Sequence, residues 1–126
     1  MRYVVSIGLL LAFLTPAYSL DGPTLPTTAK KLTKEEIVTL MDGKTFKYKS
    51  YNKAKLMTGE TTFDFKKGVY SGTYAGKPYS PQPLSMNSSA YCYDKTCPEG
   101  SGAVYVDGNT IYEVNGAGAV GEVLTK

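Results

Sequence analysis

The sequence contains no histidine and no tryptophan, and its one arginine is Arg2. Without histidine there is no Ser-His-Asp or Cys-His catalysis, no imidazole proton shuttle and no histidine-ligated metal. Without further arginine the chain lacks the planar guanidinium forks that suit phosphates and base edges, and no nucleic-acid partner is expected. Cysteine is scarce: Cys92 and Cys97 only. Their C-x4-C spacing is not the C-x-x-C of thiol oxidoreductases, and no βαβ pattern surrounds it. Scattered Asp and Asn match no calcium loop, and Gly116-Ala117-Gly118-Ala119 has neither Rossmann nor P-loop spacing. No cofactor and no metal are expected.

Long apolar runs are also missing, with one exception. Val4 to Leu14 is apolar, follows Met-Arg-Tyr, and is broken by Thr15-Pro16. A bilayer span needs about 20 residues, so the run is short for a membrane helix. Ala17-Tyr18-Ser19 supplies small residues at the −3 and −1 positions of a cut, the layout of a secretory signal peptide. Cleavage is expected after Ser19, with Ala17 as the second choice. The expected organisation is therefore residues 1–19 as a cleaved signal peptide, 20–29 as a flexible leader with Pro23 and Pro26, and 30–126 as a single β-rich domain. Export places the protein in the periplasm or outside the cell, with no transmembrane segment after cleavage. In an oxidising compartment Cys92 and Cys97 are expected to form a disulfide that shapes Tyr93-Asp94-Lys95-Thr96.

Charge is unevenly spread. Eleven of the thirteen lysines lie between Lys30 and Lys77 among five acids, a net of +6, whereas Pro78 onward is −3. A cationic half attracts anionic surfaces. We read these lysines instead as a solvated face that discourages edge-to-edge strand pairing.

Helical patterning occurs once. Thr33-Lys34-Glu35-Glu36 is a capping box, with Thr33 as N-cap, Glu36 at N3, and Leu32 and Ile37 placed as a hydrophobic staple. Ile37, Leu40 and Met41 give an apolar side, and Gly43 ends the helix. From Thr45 the period becomes two: Phe46, Tyr48 and Ser50 alternate with Lys47, Lys49 and Tyr51. Lys53–Thr58 reads as a weaker strand ended by Gly59. Glu60–Tyr74 reads as a hairpin. Phe63, Phe65 and Tyr70 share its inner face if Phe65 lies opposite Tyr70, whereas a three-residue Lys66-Lys67-Gly68 loop would turn the tyrosines outward. Ala75–Ser89, with Pro78, Pro81 and Pro83, reads as a long loop. Ala103–Val114 reads as a second hairpin turning at Asp107-Gly108, and Ala119–Leu124 as a last strand. The fold class is thus mainly β: a small antiparallel meander or partly closed barrel of about six to eight strands with one short N-terminal helix.

Leu32-Thr33-Lys34-Glu35-Glu36, then Asp42-Gly43-Lys44-Thr45, then loosely Phe65–Gly72, resembles small exported bacterial β-domain families of unknown function. There a Leu-Thr-x-Glu-Glu helix leads into a β-meander. The tryptophan that such domains often place in the sheet is missing here. The resemblance implies a fold and no activity.

Nine tyrosines follow the signal segment. Tyrosine suits sheet surfaces and also binding faces. Tyr79, between prolines, and Tyr93, inside the cysteine loop, are expected on exposed loops near a common surface, with Lys95 beside them as a third binding candidate. Glu60 and Asp64 are a conceivable hydrolytic pair, but nothing puts them in a cleft, and a solvated face is the better reading. No catalytic residue is assigned. The expected function is non-enzymatic binding of a protein or envelope glycan by a monomer, inhibitor-like in one form. A structural or assembly role in the envelope is the alternative. A histidine-free hydrolase ranks last, to be revived by a carboxylate pair converging in a deep pocket.

Overall fold

The computed structural model describes residues 21–126, so the expected signal peptide and its expected cut sites lie outside the described residues. Ten strands and one helix follow: β1 (Lys30–Lys31), α1 (Lys34–Met41), β2 (Thr45–Ser50), β3 (Met57–Asp64), β4 (Val69–Tyr74), β5 (Lys77–Pro83), β6 (Ser85–Met86), β7 (Tyr91–Cys92), β8 (Gly102–Asp107), β9 (Thr110–Asn115) and β10 (Val120–Thr125). Eight strands form one antiparallel sheet in the order β1-β8-β9-β10-β2-β3-β4-β5, and β6-β7 form a separate ribbon. The sheet is open, not a closed barrel. It consists of two meanders, β2 to β5 and β8 to β10, joined where β10 pairs with β2.

Helix α1 forms as its caps dictate. The Thr33 hydroxyl accepts from Glu36 N–H, and the Glu36 carboxylate accepts from Thr33 N–H. Those bonds, with Lys30 nearby, hold the Glu36 carboxyl below the usual carboxylate range. At the other end Gly43 adopts φ +74°, and its N–H donates to the Phe63 carbonyl at 2.8 Å. The Asp42 carboxylate accepts from Phe65 N–H at 2.8 Å, stitching the helix end to the β3–β4 turn.

Register decides what the inner face carries. Residues directly opposite in antiparallel strands share a face. One end of that face is apolar: Ile111, Leu124, Phe46 and Phe63 are all fully buried, together with Ile37 and Met41 of α1. The other end is polar and aromatic. There Glu113 lies opposite Glu122, Glu122 opposite Ser50, Ser50 opposite Met57, and Tyr70 opposite Gln82. Short helix α1 closes the first end, and the second remains open.

Several local readings change. The opening hairpin pairs Phe63 with Tyr70 and Asp64 with Val69, so the turn is longer by two residues than Phe65 opposite Tyr70 required. A shift of two keeps the face, and Phe63 and Tyr70 still point inward. Phe65 falls in the turn, half-buried, its ring stacked on Phe63 at 5.7 Å. Residues 52–55 bend, the strand begins only at Met57, and β3 runs through Gly59. A Cβ at Gly59 would lie 2.1 Å from the Thr73 carbonyl and 2.7 Å from the Tyr48 hydroxyl; glycine there lets β4 and the Tyr48 ring close in. The long loop is largely strand β5, which tolerates Pro78, Pro81 and Pro83 because it is the sheet edge and needs no second row of donors. The β8–β9 turn is Gly108-Asn109, one residue later than expected, with only Gly108 at positive φ, as a type II′ turn requires.

Candidate functional site

Ribbon β6-β7 lies across the inner face of the sheet. Tyr91 and Tyr93, two positions apart, point the same way and both reach the sheet. The Cys92–Cys97 disulfide closes the loop that follows Tyr91. Asn87 holds the ribbon's base: its buried side-chain oxygen accepts from Ser89 and Ala90 N–H, and its amide nitrogen donates to the Pro98 carbonyl at 2.8 Å. With both ends of that amide engaged, Asn87 acts as a structural clamp.

Beneath the ribbon, Tyr91 donates to Glu113 Oε2. The Tyr93 hydroxyl lies against both carboxyls: it reaches Glu113 Oε2, and Glu122 Oε1 lies 2.6 Å away. One hydroxyl proton thus serves two carboxyl groups. Burial, reinforced by the neighbouring Glu122, pushes the Glu113 carboxyl well above its usual range, the tyrosine hydroxyls offsetting part of this. Burial raises Glu122 as well, again partly offset by its bond with Tyr93. Two carboxylates in contact cannot both ionise cheaply away from water, so the pair retains a proton into the pH range where ordinary glutamates have lost theirs. Tyr91 and Tyr93 are raised well above 10 by burial and by the Glu113 charge, so they remain donors.

A cavity of about 650 Å³ opens over this network. Its floor is Glu122, 8% exposed, beside Ser50 and Thr61. Its walls include Tyr48, Tyr70, Tyr79 and Tyr93, and the rim carries Tyr74, Gln82, Asn52 and Lys53. The rings stand at steep angles: Tyr70 meets Tyr79 at 67° and Tyr93 at 70°, with centroids 6.1 and 4.8 Å apart. Burial raises Tyr70 and Tyr79, and pushes Tyr48 up to about 12, so these hydroxyls remain protonated at neutral pH. Tyr48 donates to the Thr73 carbonyl at 3.2 Å. Glu113 does not line the cavity; it sits behind Tyr93. A second hollow, about 600 Å³, lies on the outer face among Lys47, Lys49, Tyr112 and Val123, and has no buried acid.

The three candidate binding residues fare differently. Tyr79 is a half-buried residue of edge strand β5, not a loop residue. Tyr93 turns inward and packs on Phe63, Tyr70 and Tyr91. Both line the same cavity. Lys95 is exposed at the loop tip and does not line it. Glu60 is exposed, and Asp64 accepts from Lys67 N–H in the turn, so they form no pair. The pair that does form, Glu113 and Glu122, was signalled by acids at inward positions: Glu113 two residues after Ile111, and Glu122 two before Leu124. Among the described residues no group of three or more acidic or cysteine side chains is placed to hold a metal ion, and no helix is long and apolar enough to cross a membrane.

Compared with protein-family models, characterised proteins and solved structures, the chain matches none.

Proposed function

We propose that this is a small exported binding protein, monomeric and non-enzymatic, whose site is the tyrosine-walled cavity on the inner face of the sheet, and that its ligand is a short segment of envelope glycan. The observation that carries the reading is the combination of four tyrosine walls with a polar floor in one cavity. Its volume falls in the range of about 300–1,000 Å³ usual for small-ligand sites. Tyrosine rings cover the C–H faces of a sugar, while Ser50, Thr61, Gln82 and the hydroxyls exchange hydrogen bonds with its hydroxyl groups. A concave site favours a chain end or short oligomer over a flat protein surface. Export rests on the signal-like Met1–Ser19 pattern together with the Cys92–Cys97 disulfide.

Two observations weigh against the rival readings. Assembly through a free strand edge needs unpaired backbone. Here one edge is β5 with three prolines, and the other is β8 covered in part by β1 with Lys30 and Lys31. Glycoside hydrolysis needs two carboxyls facing one bond, about 5–9 Å apart. Here only Glu122 faces the cavity.

The test is a thermal-shift and calorimetric screen of the disulfide-intact protein against short glycan oligomers, with product analysis of the same incubations. Binding without cleavage, lost in Tyr79→Ala at a temperature where the variant is still folded, is expected. Cleavage would establish the hydrolase reading. Binding unaffected by Tyr79→Ala would remove the cavity from the account.

A further inference from the structure

The cavity has a chemical asymmetry that a neutral ligand does not exploit. Its floor carboxyl, Glu122, is buried, belongs to a two-carboxyl network, and has no cation beside it. Lys30–Glu36 is the one ion pair among the described residues. Lys53 stands at the rim, exposed, and makes no ion pair with Glu122. Buried charges in proteins are paired with an opposite charge, or else neutralised by a proton. Acidic groups supply the network's only charge, since its other members, Tyr91 and Tyr93, are neutral donors. Glu122 Oε1 accepts from Tyr93, and a carboxylate with two oxygens retains further acceptor sites. The rings of Tyr70, Tyr79 and Tyr93 stand at steep angles beside that carboxyl, and the faces of such rings attract a cation within about 6 Å.

We propose that the cavity selects a protonated amine: the ligand seats an ammonium group against the Glu122 carboxylate, between the rings of Tyr70, Tyr79 and Tyr93. This rests on the cavity being the binding site, and names the ligand as an amine-bearing sugar in place of a neutral one. The ammonium supplies the counter-charge that, among the described residues, no cation gives Glu122. The ammonium donates to the free acceptor sites of Glu122. Its positive charge faces tyrosine rings, and the sugar hydroxyls meet Gln82 and Thr61.

Calorimetry with two trimers of equal length separates this inference from the reading beneath it. The probes are a glucosamine trimer and an N-acetylglucosamine trimer, with 1,5-diaminopentane as a third arm carrying amines without sugar. At neutral pH the glucosamine trimer is expected to bind about tenfold or more tightly than its acetylated counterpart. Glu122→Gln, which keeps the shape and removes the charge, abolishes that preference. Tyr79→Ala, assayed at a temperature where it is still folded, weakens the glucosamine trimer, and serves as the second variant should Glu122→Gln fold poorly. Binding of diaminopentane with the same Glu122 dependence shows that the amine alone is the recognised group; its failure beside a bound glucosamine trimer shows that the sugar is needed too. Equal or tighter binding of the acetylated trimer, or a preference that survives Glu122→Gln, overturns the amine inference and leaves the cavity as a neutral-glycan site. Binding of none of the three probes overturns both.

Discussion

Tyr93→Phe separates the structure from the sequence-based expectation most cleanly. On an exposed loop, Tyr93 would lose its hydroxyl at no cost to stability. In the structure that hydroxyl is the bridge between Glu113 and Glu122. Phenylalanine keeps the ring, and with it the contacts to Tyr70 at 4.8 Å and Tyr91 at 5.7 Å. The change therefore removes one donor and little packing. A hydrogen bond to a charged group contributes about 1.5–3 kcal/mol, and the carboxyls left behind, Glu122 buried and Glu113 half-buried, have one donor fewer. We expect a cost of about 2 kcal/mol, which for a domain of about 100 residues is a fall in melting temperature of roughly 10 °C. The assay is urea unfolding with the disulfide intact, followed by far-ultraviolet circular dichroism. A double-mutant cycle with Glu113→Gln should give a coupling of at least about 0.5 kcal/mol, as expected for residues in one network. A loss below about 0.5 kcal/mol for Tyr93→Phe, the scatter of ordinary surface changes, would refute the buried bridge.

Other perturbations follow from the same geometry. Because the folded state holds the Glu113 and Glu122 protons more tightly than the unfolded chain, their contribution to stability is complete below about pH 4.5 and declines as pH rises towards their raised folded values. Each tenfold gain in proton affinity on folding is worth about 1.4 kcal/mol, so Glu113→Gln should flatten the fall in stability between acid and neutral pH; a slope as steep as wild type in urea titrations would contradict the pair. Thr33→Ala should cost about 1 kcal/mol by loss of the N-cap bond, and an unchanged unfolding midpoint would show that α1 is not held there. Ala75 sits at φ +52° in the β4–β5 turn, so Ala75→Gly should raise stability by up to about 1 kcal/mol, and a clear loss would mean that the turn is differently built.

The fold was legible where one strand or helix carries its own signal. The capping box from Thr33 to Glu36 needs four consecutive residues, and the alternation from Phe46 to Ser50 needs five. Both are local, and both forms are present. Strand β5 was not legible, because three prolines read as loop unless one knows that the strand is an edge. The opening hairpin's inner face was readable from Phe63 and Tyr70, but its register was not, since Phe65 continues the alternation past the point where the strand ends. The carboxyl pair is the clearest limit. Glu113 and Glu122 each look like one polar residue in a strand. They meet only because β9 and β10 pair in the register that sets Glu122 opposite Glu113 and Leu124 opposite Ile111, which no single strand encodes. Tyr93 followed the same logic: a short cysteine-closed loop suggests exposure, and only the ribbon's path across the sheet turns the ring inward.

Entry of ligand into the inner-face cavity above Glu122 can be followed by titrating isotope-labelled protein with the glucosamine trimer and recording backbone amide resonances. Shifts are expected at Met57, Thr61, Tyr70, Tyr79, Gln82 and Glu122, with Lys47, Lys49, Tyr112 and Val123 of the outer face unmoved. Saturating shifts confined to the outer face, or no shifts at all, would contradict it.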